Sequence, residues 1–209
     1  MPQADSTLAL VKEDPASANS DPPSVPLFLD TPDASIILRS SDQVDFRVHK
    51  SLLAMSSPFF KDLLSLPQPP DDKLVDGLPV VRLLESSGLL NGLISLLYPV
   101  SPVKPSSYEK VFALLAACQK YDMVSIQSNI RDAVKLGNFP AAPVGTEAFG
   151  AYALASSMGL VPEMANAARL TLKYPMTFES LGEGLRSFRG RALGDLVSYR
   201  KRYGTRVPD

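Results

Sequence analysis

The chain holds one cysteine, Cys118, and one histidine, His49, among its 209 residues. A lone cysteine excludes an internal disulfide, and one cysteine with one histidine cannot assemble a Cys/His zinc cage. A reducing interior, cytoplasmic, nuclear or both, is therefore expected. The same scarcity thins the enzymatic options. A serine or cysteine hydrolase needs a base beside its nucleophile, and His49 is the single histidine available. Ser57 stands in no nucleophile-elbow context. No run approaches the roughly 18–20 apolar residues that span a bilayer. The opening Met1-Pro-Gln-Ala-Asp-Ser6 has neither the basic region nor the apolar core of a signal peptide. No membrane partner is expected.

Charge of one sign is also missing. The formal net charge is −1 and the pI about 5.9, which gives no global pull toward nucleic acid. Residues 179–209 are mildly basic, with seven Lys/Arg against four acids. Arg186, Arg189, Arg191, Arg200, Lys201 and Arg202 read there as a solvated face, because Phe188 and Tyr199 are spaced for packing rather than for stacking on bases. Asp71, Asp72 and Asp76 lack the alternating spacing and terminal Glu of a calcium loop. Gly182-Glu-Gly184 has no preceding strand and no third glycine, so it is no phosphate cradle. No cofactor, no metal and no small-molecule substrate is expected. Cys118 lies on an apolar helical stripe and reads as a packing thiol.

What the chain does have is 45% hydrophobic content, enough for one or two packed domains. Residues 1–26 hold five prolines among Ser, Asp, Ala and Asn and read as a disordered arm. Ile36, Ile37 and Leu38 form a short apolar run within 34–38, and Phe46 and Val48 alternate with Arg47, which predicts two strands and a hairpin. Between Ser51 and Leu66 the apolar positions recur at spacings of three, four and seven. Pro58 opens a second helix there, behind a Ser56/Ser57 cap. Phe59 and Phe60 both read as core anchors.

Residues 67–79 are rich in Pro, Asp and Gly and predict an exposed loop, followed by a third strand over 80–84. A helix from about Ser86 to Leu97 is apolar around most of its girth and should be central. Helices follow over 108–121 and up to Val134, the second closed by Gly137 at C′, and they pack as a hairpin across Asp122-Met-Val124. Beyond a hinge at 140–145, Thr146 caps a helix through Met158, and Pro162 opens another that runs to about Tyr174. From Glu179 on, four glycines favour two short helices over one long one.

The order strand, strand, helix with His49-Lys50 at its start, Ser57-Pro58-Phe59-Phe60 in its middle, acidic loop, third strand and paired helices is similar to the BTB/POZ family over about 31–136. Asp33, Phe46, Val48, Leu52-Leu53, Leu63, Val80-Val81, Leu114-Leu115, Ala117 and Tyr121 carry the rest of the likeness. The helices after it resemble those of stand-alone fungal BTB proteins. The resemblance implies an α+β fold, a short three-stranded sheet capped by helices, with an all-α extension at 145–203 and a tail at 204–209. It also implies a non-enzymatic module that binds protein: itself, another BTB protein or a cullin scaffold.

The resemblance also implies residue roles. By charge alone Asp33 and Lys50 can pair across strand and helix, as a local surface ion pair or, as the resemblance implies, lining a pocket at a dimer axis, and His49 would be structural. Phe60, Leu64, Leu66 and Gln68 would lie toward a protein partner. Two features depart from the family. No amphipathic helix precedes Asp33, although residues 25–29 could add as an edge strand, and glutamine at 68 replaces the acid of the cullin-recruiting hydrophobic-any-Glu motif.

Overall fold

The computed structural model describes residues 33–66, 74–141, 147–177, 188 and 191–204. The expectations for the 1–26 arm, the 67–73 loop with Gln68, the Thr146 cap, the 178–187 stretch and the last five residues lie outside them.

Three strands form one sheet in the order β2-β1-β3: β1 (Ile36–Arg39), β2 (Asp45–Val48) and β3 (Val80–Arg82). β1 pairs antiparallel with β2 and parallel with β3. This central position accounts for its uninterrupted Ile36-Ile37-Leu38, all buried, because a strand covered on both faces has no polar side to alternate with. Edge strand β2 does alternate: Phe46 and Val48 are buried while Asp45 and Arg47 are only partly covered. The hairpin end is clamped where Arg39 faces Asp45 in register, through two charge-assisted hydrogen bonds of 2.6 and 2.7 Å. β1 begins later than the sequence suggests and β3 ends earlier, so Leu83 is buried beyond the strand and Leu84 is exposed.

Five helices complete this part: α1 (Lys50–Ser56), α2 (Pro58–Ser65), α3 (Ser87–Ser95), α4 (Tyr108–Lys120) and α5 (Val124–Lys135). Pro58 opens α2 and the Ser57 hydroxyl accepts the Phe60 N–H at 3.0 Å, as the cap signal predicts. Residues 90–95 of α3 are all buried, so this helix is central. Gly92 lets α3 approach α4 closely, since a Cβ there would stand 3.2 Å from Leu114 Cδ2 and the leucine tip would have to shift. Gly137 closes α5 at C′ with φ +74°. Its N–H donates to Val134 O and that of Asn138 to Ala133 O, the Schellman pattern. The α4 terminus repeats this with Asp122, a non-glycine at φ +51°.

The extension supplies α6 (Glu147–Ser157), α7 (Val161–Thr171) and α8 (Ala192–Tyr203). α6 packs on α4, α7 and α8, and its Ala148, Phe149, Ala151, Tyr152, Ala153 and Ala155 are all buried. A helix with neighbours all round needs small side chains on several faces, which explains its alanine content. Arg131 of α5 reaches Glu163 of α7 through Nε at 2.8 Å and Nη2 at 3.3 Å. One apolar cluster runs from Ile36 of β1 to Leu196 of α8, so strands, hairpin and extension share a core.

The basic end is not wholly a solvated face. Arg200 donates to the carbonyls of Thr171 and, at 2.7 Å, Tyr174. It caps the C-terminal end of α7, where a cation meets the negative end of the helix dipole. Burial lowers the Arg200 pKa from its ordinary value. No helix among the described residues is long and apolar enough to cross a membrane.

Candidate protein-interaction face

Adjacent phenylalanines on a helix point about 100° apart, and the Ser57 cap fixes which one goes inward. Phe60 is 1% exposed, stacked at 5.0 Å on the Tyr121 ring, whereas Phe59 is 43% exposed with its ring 5.5 Å from the same tyrosine. Phe60 is the core anchor expected of it, which corrects its expected place toward a partner, and Phe59, expected as an anchor too, is the one that can touch a partner. Ser57 is itself fully buried, and besides accepting from Phe60 it donates to the Tyr121 carbonyl at 2.5 Å. The start of α2 is thereby tied to the end of α4.

α1, α2 and α5 also carry exposed apolar side chains. Met55 in the last turn of α1 is 83% exposed, Val124 opens α5 at 68%, and Leu66 follows α2 at 60%. α1, which carries Met55, packs against both α2 and α5, which carry Phe59 and Val124. Leu64 is half-buried against the core. Beneath, Tyr121 donates its hydroxyl to Glu85, whose other oxygen takes Lys120 Nζ at 2.6 Å. Burial raises the Glu85 pKa, but the Lys120 and Tyr121 hydrogen bonds outweigh it and hold the carboxyl below its ordinary value. Desolvation and the Glu85 acceptor push the Tyr121 phenol far up. The support under the apolar face is thus a charged network with its partners in place.

A second cluster gathers Asp33, His49 and Tyr98. His49 Nε2 stands 3.1 Å from an Asp33 oxygen and Nδ1 stands 2.9 Å from the Tyr98 hydroxyl, which also accepts the His49 backbone N–H at 3.1 Å. One tautomer satisfies all of this: Tyr98 O–H donates to Nδ1, and Nε2–H donates to the carboxylate. The His49 ring lowers the Asp33 pKa. Asp33 therefore pairs with His49 rather than with Lys50, whose backbone N–H donates to Ser35 Oγ at 2.9 Å. His49 is the N-cap of α1 and Lys50 its first residue, and the β1 entry brings Asp33 to the cap. Tyr98, 49 residues from His49, carries no local signal of this role.

The groups weighed for catalysis are engaged elsewhere among the described residues. The two histidine nitrogens face the Tyr98 hydroxyl and the Asp33 carboxylate. Ser57 Oγ has its partners in Phe60 and Tyr121. Cys118 is 1% exposed, and burial pushes its thiol up to about 12. Among the described residues no group of three His, Cys, Asp or Glu could hold a metal ion. A cavity of about 210 Å³ lies between α4, α5 and α7, floored by Val111, Phe112 and Leu115 with Arg131 and Glu163 at its side. That volume is below the roughly 300–1,000 Å³ of ordinary ligand sites.

The family model for the BTB/POZ domain matches residues 30–136, half of the chain. The chain belongs to the BTB/POZ family. Among solved structures it is similar to the BTB domain of zebrafish PATZ1, at 18% identity and a TM-score of 0.38, covering 49% of this chain and 76% of that one. A comparison with curated proteins finds no match. BTB domains are protein–protein interaction modules, so exposed apolar side chains on this BTB domain are where its chemistry is to be sought.

Proposed function

We propose that this BTB protein is a non-enzymatic scaffold that self-associates by burying the apolar face of α1, α2 and α5. The observation that carries this reading is the exposure of Met55, Phe59 and Val124 on three helices of which α1 packs on the other two, with the hydrogen bonds of Ser57 and Glu85 tying the start of α2 and the end of α4 in place. Covering such side chains supplies about 25 cal/mol per Å² of apolar area removed from water. The firm Ser57–Tyr121 and Glu85–Lys120 links mean little ordering cost on binding. Light scattering on the full chain is the test. A dimer or larger species supports self-association, and a strict monomer at concentrations on the order of tens of micromolar removes it.

A second reading is a substrate adaptor of a cullin-type ubiquitin ligase. Leu66, largely exposed at the end of α2, and a helical pair α6–α7 packed behind α4 favour it. Gln68 in place of an acid speaks against it. A pull-down that recovers a cullin with the wild type and loses it with Leu66→Asp supports this reading, and one that recovers none rejects it.

A further inference from the structure

Three Ser/Thr-Pro dipeptides occur in the chain: Thr31-Pro32, Ser57-Pro58 and Ser101-Pro102. Only the last carries a basic residue three positions after the hydroxyl, in Ser101-Pro102-Val103-Lys104. The fold separates them further. Ser57 is fully buried, with its hydroxyl engaged by Phe60 and Tyr121. Ser101 lies in the connection between α3 and α4, where residues 99–104 are all exposed and none is in a helix or strand.

Pro99, Pro102 and Pro105 bias this connection to extended backbone, because each fixes its own φ and disfavours helix in the residue before it. It is anchored from beneath: Ser95 Oγ, itself buried, accepts the Val103 N–H at 3.0 Å, and Pro105 is buried. The Ser101 hydroxyl is thus displayed on a short exposed connection. A stretch of five or six accessible residues outside helix and strand is what a kinase cleft admits. A cleft that offers no acceptor to the N–H after the serine selects proline there, since proline has none. An acidic group further along the cleft then reads Lys104.

We propose that Ser101 is a phosphorylation site for proline-directed serine/threonine kinases that read a basic residue at the third position beyond the serine. In the step, Ser101 Oγ forms a bond to the γ-phosphorus of ATP and the bond between that phosphorus and the bridging oxygen breaks. ADP leaves with the electron pair, and the hydroxyl proton passes to the kinase's catalytic carboxylate. The product adds about 1.5–2 negative charges at neutral pH between Val100 and Val103, both partly exposed.

The experiment incubates the folded full chain with a purified cyclin-dependent kinase and ATP, then maps the product by mass spectrometry. One added phosphoryl group on Ser101 is expected, absent from Ser101→Ala. Pro102→Ala should slow its addition at least about tenfold, because an N–H then enters a cleft without an acceptor. Lys104→Ala should slow it about threefold, as for loss of one exposed ion pair. Phosphorylation that persists in Ser101→Ala, or a rate indifferent to Pro102→Ala, overturns the proposal. So does modification of a synthetic 97–107 peptide with none of the folded chain, which would mean that the fold conceals the serine. All three variants must keep the wild-type melting temperature, as surface positions should.

Discussion

Replacing Ser57 with alanine removes one oxygen and leaves two buried backbone groups without their partner. The Phe60 N–H at the start of α2 loses its cap, a loss of about 1 kcal/mol in typical helices. The Tyr121 carbonyl loses its donor, and a buried acceptor left unsatisfied costs about 1–3 kcal/mol. Ser57 is fully buried, so water cannot readily take over either bond. The sum is about 2–4 kcal/mol, which for a chain of this length lowers the melting temperature by about 4–16 °C. Urea denaturation followed by circular dichroism reads it as a lower midpoint at unchanged slope. Ser65→Ala is the control: its exposed hydroxyl bonds only the Asp62 carbonyl, at 2.7 Å, and its loss should stay within about 0.5 kcal/mol. A Ser57→Ala variant as stable as the control would refute the claim that this hydroxyl ties α2 to α4.

Three further outcomes follow from the same geometry. Phe60→Ala should cost about 3–5 kcal/mol while Phe59→Ala costs distinctly less, and equal losses in a melting experiment would reject the inside–outside assignment. Cys118, buried and with its thiol raised to about 12, should resist a maleimide at pH 8 in the folded chain and react at once in denaturant; rapid native labelling would contradict its burial. Asp42 has its carboxyl lowered to about 2 by the Ser40 and Ser87 hydroxyls beside it. Since the folded value lies below the unfolded one, its stabilising effect is full above about pH 4 and is lost as pH falls toward 2. A carbon-detected NMR titration should show this depression shrink in Ser87→Ala, and an ordinary value near 3.9 in the wild type would exclude the hydrogen-bonded arrangement.

The local signals in the sequence were the dependable ones. Ser57-Pro58 announces a helix start and Gly137 a helix end because both act within a turn of where they stand. The contrast between the solid Ile36-Ile37-Leu38 run and the alternating Phe46-Arg47-Val48 already separates strands of different burial. What was not legible depends on distant neighbours or on a rotation of one residue. Phe59 and Phe60 have the same hydrophobicity, so only the packed helix tells which faces Tyr121. Asp33 was matched to Lys50 by charge, but the entry to β1 brings it to His49, and Tyr98 completes that cluster from beyond α3. Arg200 has the composition of a solvated face and became a cap because α8 lies across the end of α7. Inside the stretch read only as an exposed loop, Asp76 and Gly77 both take positive φ and Val75 and Leu78 exchange paired hydrogen bonds, a tight turn.

Sedimentation equilibrium on the full chain and on a Met55→Glu/Phe59→Glu double variant, at concentrations on the order of tens of micromolar, probes the interaction face most directly. Both side chains are exposed in the folded chain, so the variant should keep its melting temperature within a few degrees. The wild type should sediment at a multiple of its 22.5 kDa chain mass, and the double variant at the mass of one chain. Equal masses for the two, whether both associated or both monomeric, would contradict self-association through this face.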